Sequence, residues 1–224
     1  MLTCDNILRS NVASCQHETQ MEQQRDRYHH GDLRRALLDA ALQIATESRA
    51  TEAVTLREAA RRAGVSHNAP YRHFEDKGEM LAVLAEEGFI ELARTLNTAR
   101  AGVLDAEERF VRTGVAYLRF ADSHPGHLTV MFGPEIAKSR TARLQRLAND
   151  TFQVLKALAK DAGVADEVQA RRLGTVVWSL LHGLCVLSRQ KQVPASVGAT
   201  PDELAELGLR QLFRSFRLRA QQRS

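Results

Sequence analysis

The sequence predicts an all-α protein, and three observations carry the prediction. Apolar residues recur at helical spacing through nearly all of the chain beyond residue 32. No segment alternates apolar and polar residues cleanly over six positions. Proline is scarce, at five in 224 residues. Hydrophobic residues make up 44% of the chain, enough for a sizeable core at this length. No apolar run is long enough to span a membrane, and the first residues mix polar and charged groups unlike a signal peptide. Cys4, Cys15 and Cys185 form no metal or disulfide framework, which suits a reducing cytoplasm.

Residues 1–27 are polar and aperiodic and read as a disordered extension, with Met21 a candidate start of translation. A first helix is predicted over 32–47, where Leu33, Leu37, Ala40, Ala41 and Ile44 form one apolar stripe. Thr55-x-x-Glu58 is a capping box: the hydroxyl accepts from the Glu58 amide, and the carboxylate reaches back to the Thr55 amide. Leu56, Ala59, Ala60 and Ala63 then predict a second helix over 56–63. Gly64 follows, where a left-handed residue ends a helix best. Val65 plugs the corner, and Ser66 caps a third helix over 67–74. Pro70 lacks the amide that would bond to the Ser66 carbonyl, so that helix must tighten its first turn or start one residue later.

A second capping box, Asp76-x-x-Glu79, opens a long helix that ends near residue 100, before Gly102. A helix over 106–123 carries Phe110, Gly114, Tyr117, Leu118 and Ala121 on its inner side and is broken by His124-Pro125-Gly126. A short helix over 128–132 leads to Gly133-Pro134. The next, over 141–162, presents Leu144, Leu147, Thr151, Leu155 and Leu158. Two last helices follow over 166–190 and 201–217. The first is apolar almost all round from Val176 to Leu187, so it is buried or covered by a partner. The second shows Leu204, Leu207, Leu212, Phe213 and Phe216, and residues 219–224 form a basic tail.

Two short helices joined by a tight turn make a helix-turn-helix, which places its second helix in the major groove of double-stranded DNA. Here that helix offers donors and flat rings in place of a solvated Glu/Lys face. Hydroxyl and ammonium groups fix register on the backbone, which assigns Ser66, Tyr71 and Lys77 to phosphates. Amides, imidazoles and guanidinium forks discriminate bases, which assigns His67, Asn68 and Arg72 to base edges, with His73 beside them. Thr55 stands at a helix N-terminus that favours an anion. The formal charge of +4 is mild, and residues 25–80 carry ten Lys/Arg against nine Asp/Glu, so a basic face must come from placement.

Residues 28–84 resemble the DNA-binding domain of the tetracycline-repressor-like (TetR) family of bacterial regulators. The likeness rests on the first helix, Gly64-Val65-Ser66, Tyr71-x-His73-Phe74 and the Glu75-Asp76-Lys77 entry to a fourth helix. Trp178-x-x-x-His182-Gly183 resembles the signature of a subgroup with a Trp-His-Gly C-terminal domain. The resemblance implies a DNA-binding domain over 28–76 and an effector-binding and dimerisation domain over 77–218. It implies a homodimer through the last two long helices, a palindromic operator, and repression relieved by a small-molecule effector. The implied effector contacts are Phe110, Tyr117, Met131, Phe132, Phe152, Trp178, His182 and Cys185.

Two alternatives stay open: an activator or effector-independent DNA-binding protein, and a small helical carrier or enzyme. No G-x-S-x-G, Walker loop or H-E-x-x-H occurs, so neither catalytic residues nor a cofactor are expected. His124 with His127 and His182 with Cys185 have ligand-like spacing, but nothing in the sequence joins the pairs, so no metal is expected.

Overall fold

The computed structural model describes residues 33–138 and 141–221, and these are helical with no strand among them. The N-terminal extension, Met21, Cys4, Cys15 and the side chains of the basic tail lie outside the described residues. The helices are α1 (33–48), α2 (Leu56–Arg62), α3 (Lys77–Arg100), α4 (Ala106–Ser123), α5 (Pro125–Met131), α6 (Pro134–Lys138), α7 (Ala142–Asp161), α8 (Glu167–Arg189) and α9 (Pro201–Gln221). Short 3-10 turns cover Ala69–Arg72 and Ala195–Val197.

Local capping decides most helix starts. Thr55, Asp76, Asp105, Thr141 and Asp166 each accept from the amide three residues on. Each such cap stabilises its helix by about 1 kcal/mol. The return half of the two expected capping boxes differs from expectation. The Glu58 carboxylate holds Arg61 and Arg62 instead of the Thr55 amide. The Glu79 carboxylate accepts from the Glu75 amide at 2.6 Å, one residue upstream of Asp76. Thr200 and Glu203 form a box with both halves in place at the start of α9. Gly64 ends α2 at φ +69°, with Val65 N–H donating to the Ala60 carbonyl at 3.0 Å and Gly64 N–H to the Arg61 carbonyl at 3.3 Å.

The third helix is shorter than the sequence suggests. It is one 3-10 turn, preceded by Asn68 with no side-chain cap. Ser66 therefore does not cap it; instead the Ser66 carbonyl accepts from the Ala69 amide. Pro70 is the physical reason, because it has no N–H to extend a ladder backwards. Its carbonyl accepts from both His73 and Phe74 at 2.9 Å, closing the turn. Phe74 is 2% exposed and anchors the segment beneath Arg34, whose guanidinium carbon lies 5.1 Å from the ring centroid.

A second difference lies at His124-Pro125-Gly126. Proline there opens α5 three residues earlier than expected, since at a first-turn position its missing N–H leaves no helical bond unmade. His124 ends α4 and begins α5. The five-residue α6 was not foreseen.

α3 is shared between the N-terminal helices and the body. It packs on α4, α5, α6 and α7, while α4 packs on α8 and α9, and α7 on α8. The head is seated closely on the body. A Cβ at Gly126 of α5 would lie 2.6 Å from the Leu42 carbonyl oxygen of α1, so only glycine permits this approach. Arg35 of α1, also paired with Asp39 one turn on in the same helix, reinforces the joint through Glu87 of α3.

Candidate DNA-reading tip and body cavity

The tip is built by the α2 cap, the glycine corner and the 3-10 turn. Thr55, Ser66, His67, Asn68, Tyr71 and Arg72 are all exposed, Tyr71 at 58%. The side chains of Ser66, His67, Asn68, Tyr71 and Arg72 make no hydrogen bond or ion pair with the described residues. His73 differs from these neighbours in being half-buried.

Charge at the tip is set by pairing. Arg61 and Arg62 share Glu58, and Arg62 also meets Glu47 at 2.6 Å. Hydrogen bonds from Arg61 and Arg62 hold the Glu58 carboxyl down to about 2. Arg57 and Arg72 are exposed and have no acid partner among the described residues. Thus a nearly balanced segment still presents two cations without an acid partner among the described residues. Arg57 was missed in the sequence. With Thr55 and His67 it lines a shallow groove at the start of α2. Its signal was a cation in the first helical turn, against the helix dipole, where an external anion would compensate it.

Lys77, expected at a phosphate, has its ammonium 3.0 Å from Glu135 of α6 and so ties the start of α3 to that helix. Glu135 also accepts from the buried Thr51 hydroxyl, which precedes α2. Burial works to raise the Glu135 pKa, but the hydrogen bonds from Thr51 and Lys77 outweigh it and leave the carboxyl below its ordinary value.

The body holds an apolar cavity of about 460 Å³ between α3, α4, α5, α6, α7 and α8. Of the expected effector contacts, Tyr117, Met131, Phe132, Phe152 and Trp178 line it. Phe110 does not: it is fully buried against Phe213 of α9, ring centroids 5.4 Å apart. Cys185 is buried away from the cavity, and that burial pushes its thiol up to about 11. His182 lies on a separate crevice beyond Phe132, with ring centroids 4.9 Å apart. Its Nδ1 is 2.9 Å from the Tyr117 hydroxyl, and burial lowers its pKa, favouring the neutral imidazole.

Phe89, Leu92 and Leu96 of α3, absent from the expected contacts, also face the cavity. Their spacing along the long helix was the available signal. The polar lining is neutral: Gln145, Asn149, Thr151 and Thr175. Among the described residues no charged side chain lines the cavity, so it suits a largely apolar, uncharged molecule with one or two hydrogen-bonding groups. Among the described residues no group of three His, Cys, Asp or Glu side chains is placed to hold a metal. No described helix is long and apolar enough to cross a membrane.

An all-helical chain with an exposed helix-turn-helix tip on a larger cavity-bearing body defines the class of DNA-binding regulators. Residues 37–84 match the model for bacterial regulatory proteins of the tetR family, and residues 110–212 match the tetracyclin repressor-like C-terminal domain. A protein of unknown function from Rhodococcus sp. RHA1 is 31% identical, covering 84% of this chain and 97% of that one, with a TM-score of 0.69. A tetR-family regulatory protein from Rhodococcus RHA1 is 19% identical, covering 81% and 95%, with a TM-score of 0.64. The TetR family transcriptional regulator PfmR from Thermus thermophilus is 22% identical, covering 80% and 97%, with a TM-score of 0.61. This chain belongs to the tetR family of transcriptional regulators, and its helix-turn-helix is the family's DNA-binding element.

Proposed function

We propose that this protein is a homodimeric repressor that grips a palindromic operator and releases it when a largely apolar, uncharged molecule fills the body cavity. The observation that carries the reading is the Glu135 link. Ile136 of α6 lines the cavity, and its neighbour Glu135 holds Thr51 and Lys77 at the base of the tip. An occupant that displaces α6 therefore displaces the tip. An effector that prefers the displaced state by about 3 kcal/mol lowers operator affinity more than a hundredfold.

On this reading residues 28–76 are the DNA-binding unit, residues 77–218 are the effector and dimerisation unit, and the protein works in the cytoplasm with its DNA. Trp178, His182 and Gly183 belong to a Trp-His-Gly type of C-terminal domain. The dimer forms through α8 and α9, which leave Val176, Val186, Leu187 and Leu207 exposed, Leu207 at 60%. Paired with their copies, these helices make a four-helix bundle that covers the exposed apolar side chains. Leu207→Glu should convert the dimer to a monomer by sedimentation, and an unchanged mass would exclude this interface.

Selection of bound DNA from a random pool tests the operator reading, with half-sites expected about 34 Å apart. Failure to enrich any sequence rejects it. Repeating the selection with uncharged apolar compounds tests release, and a response to none of them rejects the effector part. Tyr71→Ala should weaken all sequences alike, whereas Asn68→Ala should relax preference at one position. Equal, sequence-blind losses from both would reject this division of roles.

A further inference from the structure

A second crevice, of about 310 Å³, lies on the far side of Phe132 from the apolar cavity. Its character is opposite. Arg49, from the loop after α1, and Arg189, at the end of α8, both line it. One belongs to the head and the other to the body. Arg49 donates from Nη1 to the Arg189 carbonyl at 3.0 Å, and Arg189 donates from Nη1 to the Pro125 carbonyl at 3.3 Å. Neither has a carboxylate within ion-pairing distance among the described residues. Glu52 lines the crevice and Asp122 acts on Arg189 from α4, yet neither forms an ion pair with them.

Two guanidinium groups that share one crevice and lack a paired carboxylate can clamp an anion between them. Arg49 is the left-handed residue that ends α1, at φ +57°, with its N–H donating to the Ala45 carbonyl at 3.0 Å, and this turn places its side chain at the crevice. The partial burial of Arg189 and the charge of Arg49 together make its charged form less favourable, and a bound anion relieves both. Thr129 and His182 add polar lining.

We propose that this crevice binds a small oxyanion, a carboxylate or phosphate group, between the guanidinium groups of Arg49 and Arg189. The site lies outside the apolar cavity, and its occupant cross-links head to body. Its binding does not depend on operator recognition, so it stands or falls independently of the repressor reading.

The test is thermal unfolding of the full chain in sodium phosphate or sodium propionate, each balanced with chloride to constant ionic strength. A saturable rise of about 5–10 °C is expected at a hundredfold excess over Kd. Phosphate alone giving the rise identifies a phosphate group as the ligand chemistry, and propionate alone identifies a carboxylate. Arg189→Gln should abolish the rise, and the exposed Arg49→Gln should weaken binding at least tenfold. Arg49→Gln keeps the test decisive if Arg189→Gln impairs folding. No saturable rise with either anion, or one unchanged in Arg49→Gln, overturns the proposal.

Discussion

Replacing Glu135 with glutamine removes a charge but keeps an oxygen that can accept from Thr51. The loss therefore isolates the link to Lys77. The pair sits at 3.0 Å with side chains 30% and 28% exposed, so water reaches both ends and an interior Coulomb energy does not apply. Exposed pairs contribute about 0.2–1 kcal/mol, and the good hydrogen-bond geometry here favours the upper end, about 1 kcal/mol. The expected fall in Tm is about 2–4 °C for a chain of this size. Urea unfolding of wild type, Lys77→Met, Glu135→Gln and the double variant measures the coupling directly. The pH dependence supplies an independent check. The folded Glu135 carboxyl lies below its ordinary 4.5, so its stabilisation is present above that value and is lost as pH falls through the folded one. Wild type and Glu135→Gln should thus converge in acid. A coupling below about 0.3 kcal/mol at neutral pH, or a gap that acid leaves intact, refutes the reasoning.

Further outcomes follow from the same physics. Burial lowers the pKa of His127 and His182 from the ordinary 6.5, so the unfolded chain takes up protons first as pH drops; stability is full above about 6.5 and declines below it until the folded values are reached. Urea midpoints should therefore fall between about pH 7.5 and 5.5, less so in His127→Gln, and a midpoint that rises contradicts the assignment. Gly126→Ala drives a Cβ into the Leu42 carbonyl and should cost about 1–3 kcal/mol, read as a fall in Tm. Unchanged stability would mean that α1 and α5 do not meet closely in solution. Phe110→Ala should cost about 3–5 kcal/mol as a core deletion. Phe152→Ala, at a half-buried position on the cavity wall, should cost clearly less by the same unfolding assay, and the reverse order would exchange their roles.

The helix frame was legible because its signals are local. Asp76, Thr141 and Asp166 cap within three residues of themselves, and Gly64 reverses the chain by its own backbone freedom. α4 runs over the residues its periodicity marks, and its expected inner face, from Phe110 to Ala121, is buried. Pro70 announced a difficulty in the third helix, and the chain resolves it by tightening into a 3-10 turn closed on the Pro70 carbonyl. The short α6 carries too few residues for any periodicity.

By itself the sequence determined an all-helical regulator with a helix-turn-helix tip, because capping, glycine placement and apolar spacing act over a few residues. Only the tertiary structure decided which charges remain free. Arg62 is claimed by Glu47, 15 residues away on α1, Arg57 and Arg72 meet no acid among the described residues, and Lys77 is claimed by a glutamate 58 residues away. Phe110 joined the core and Leu92 the cavity for the same reason. Long-range packing chooses among side chains whose local patterns are alike, and that choice is made only when distant helices meet.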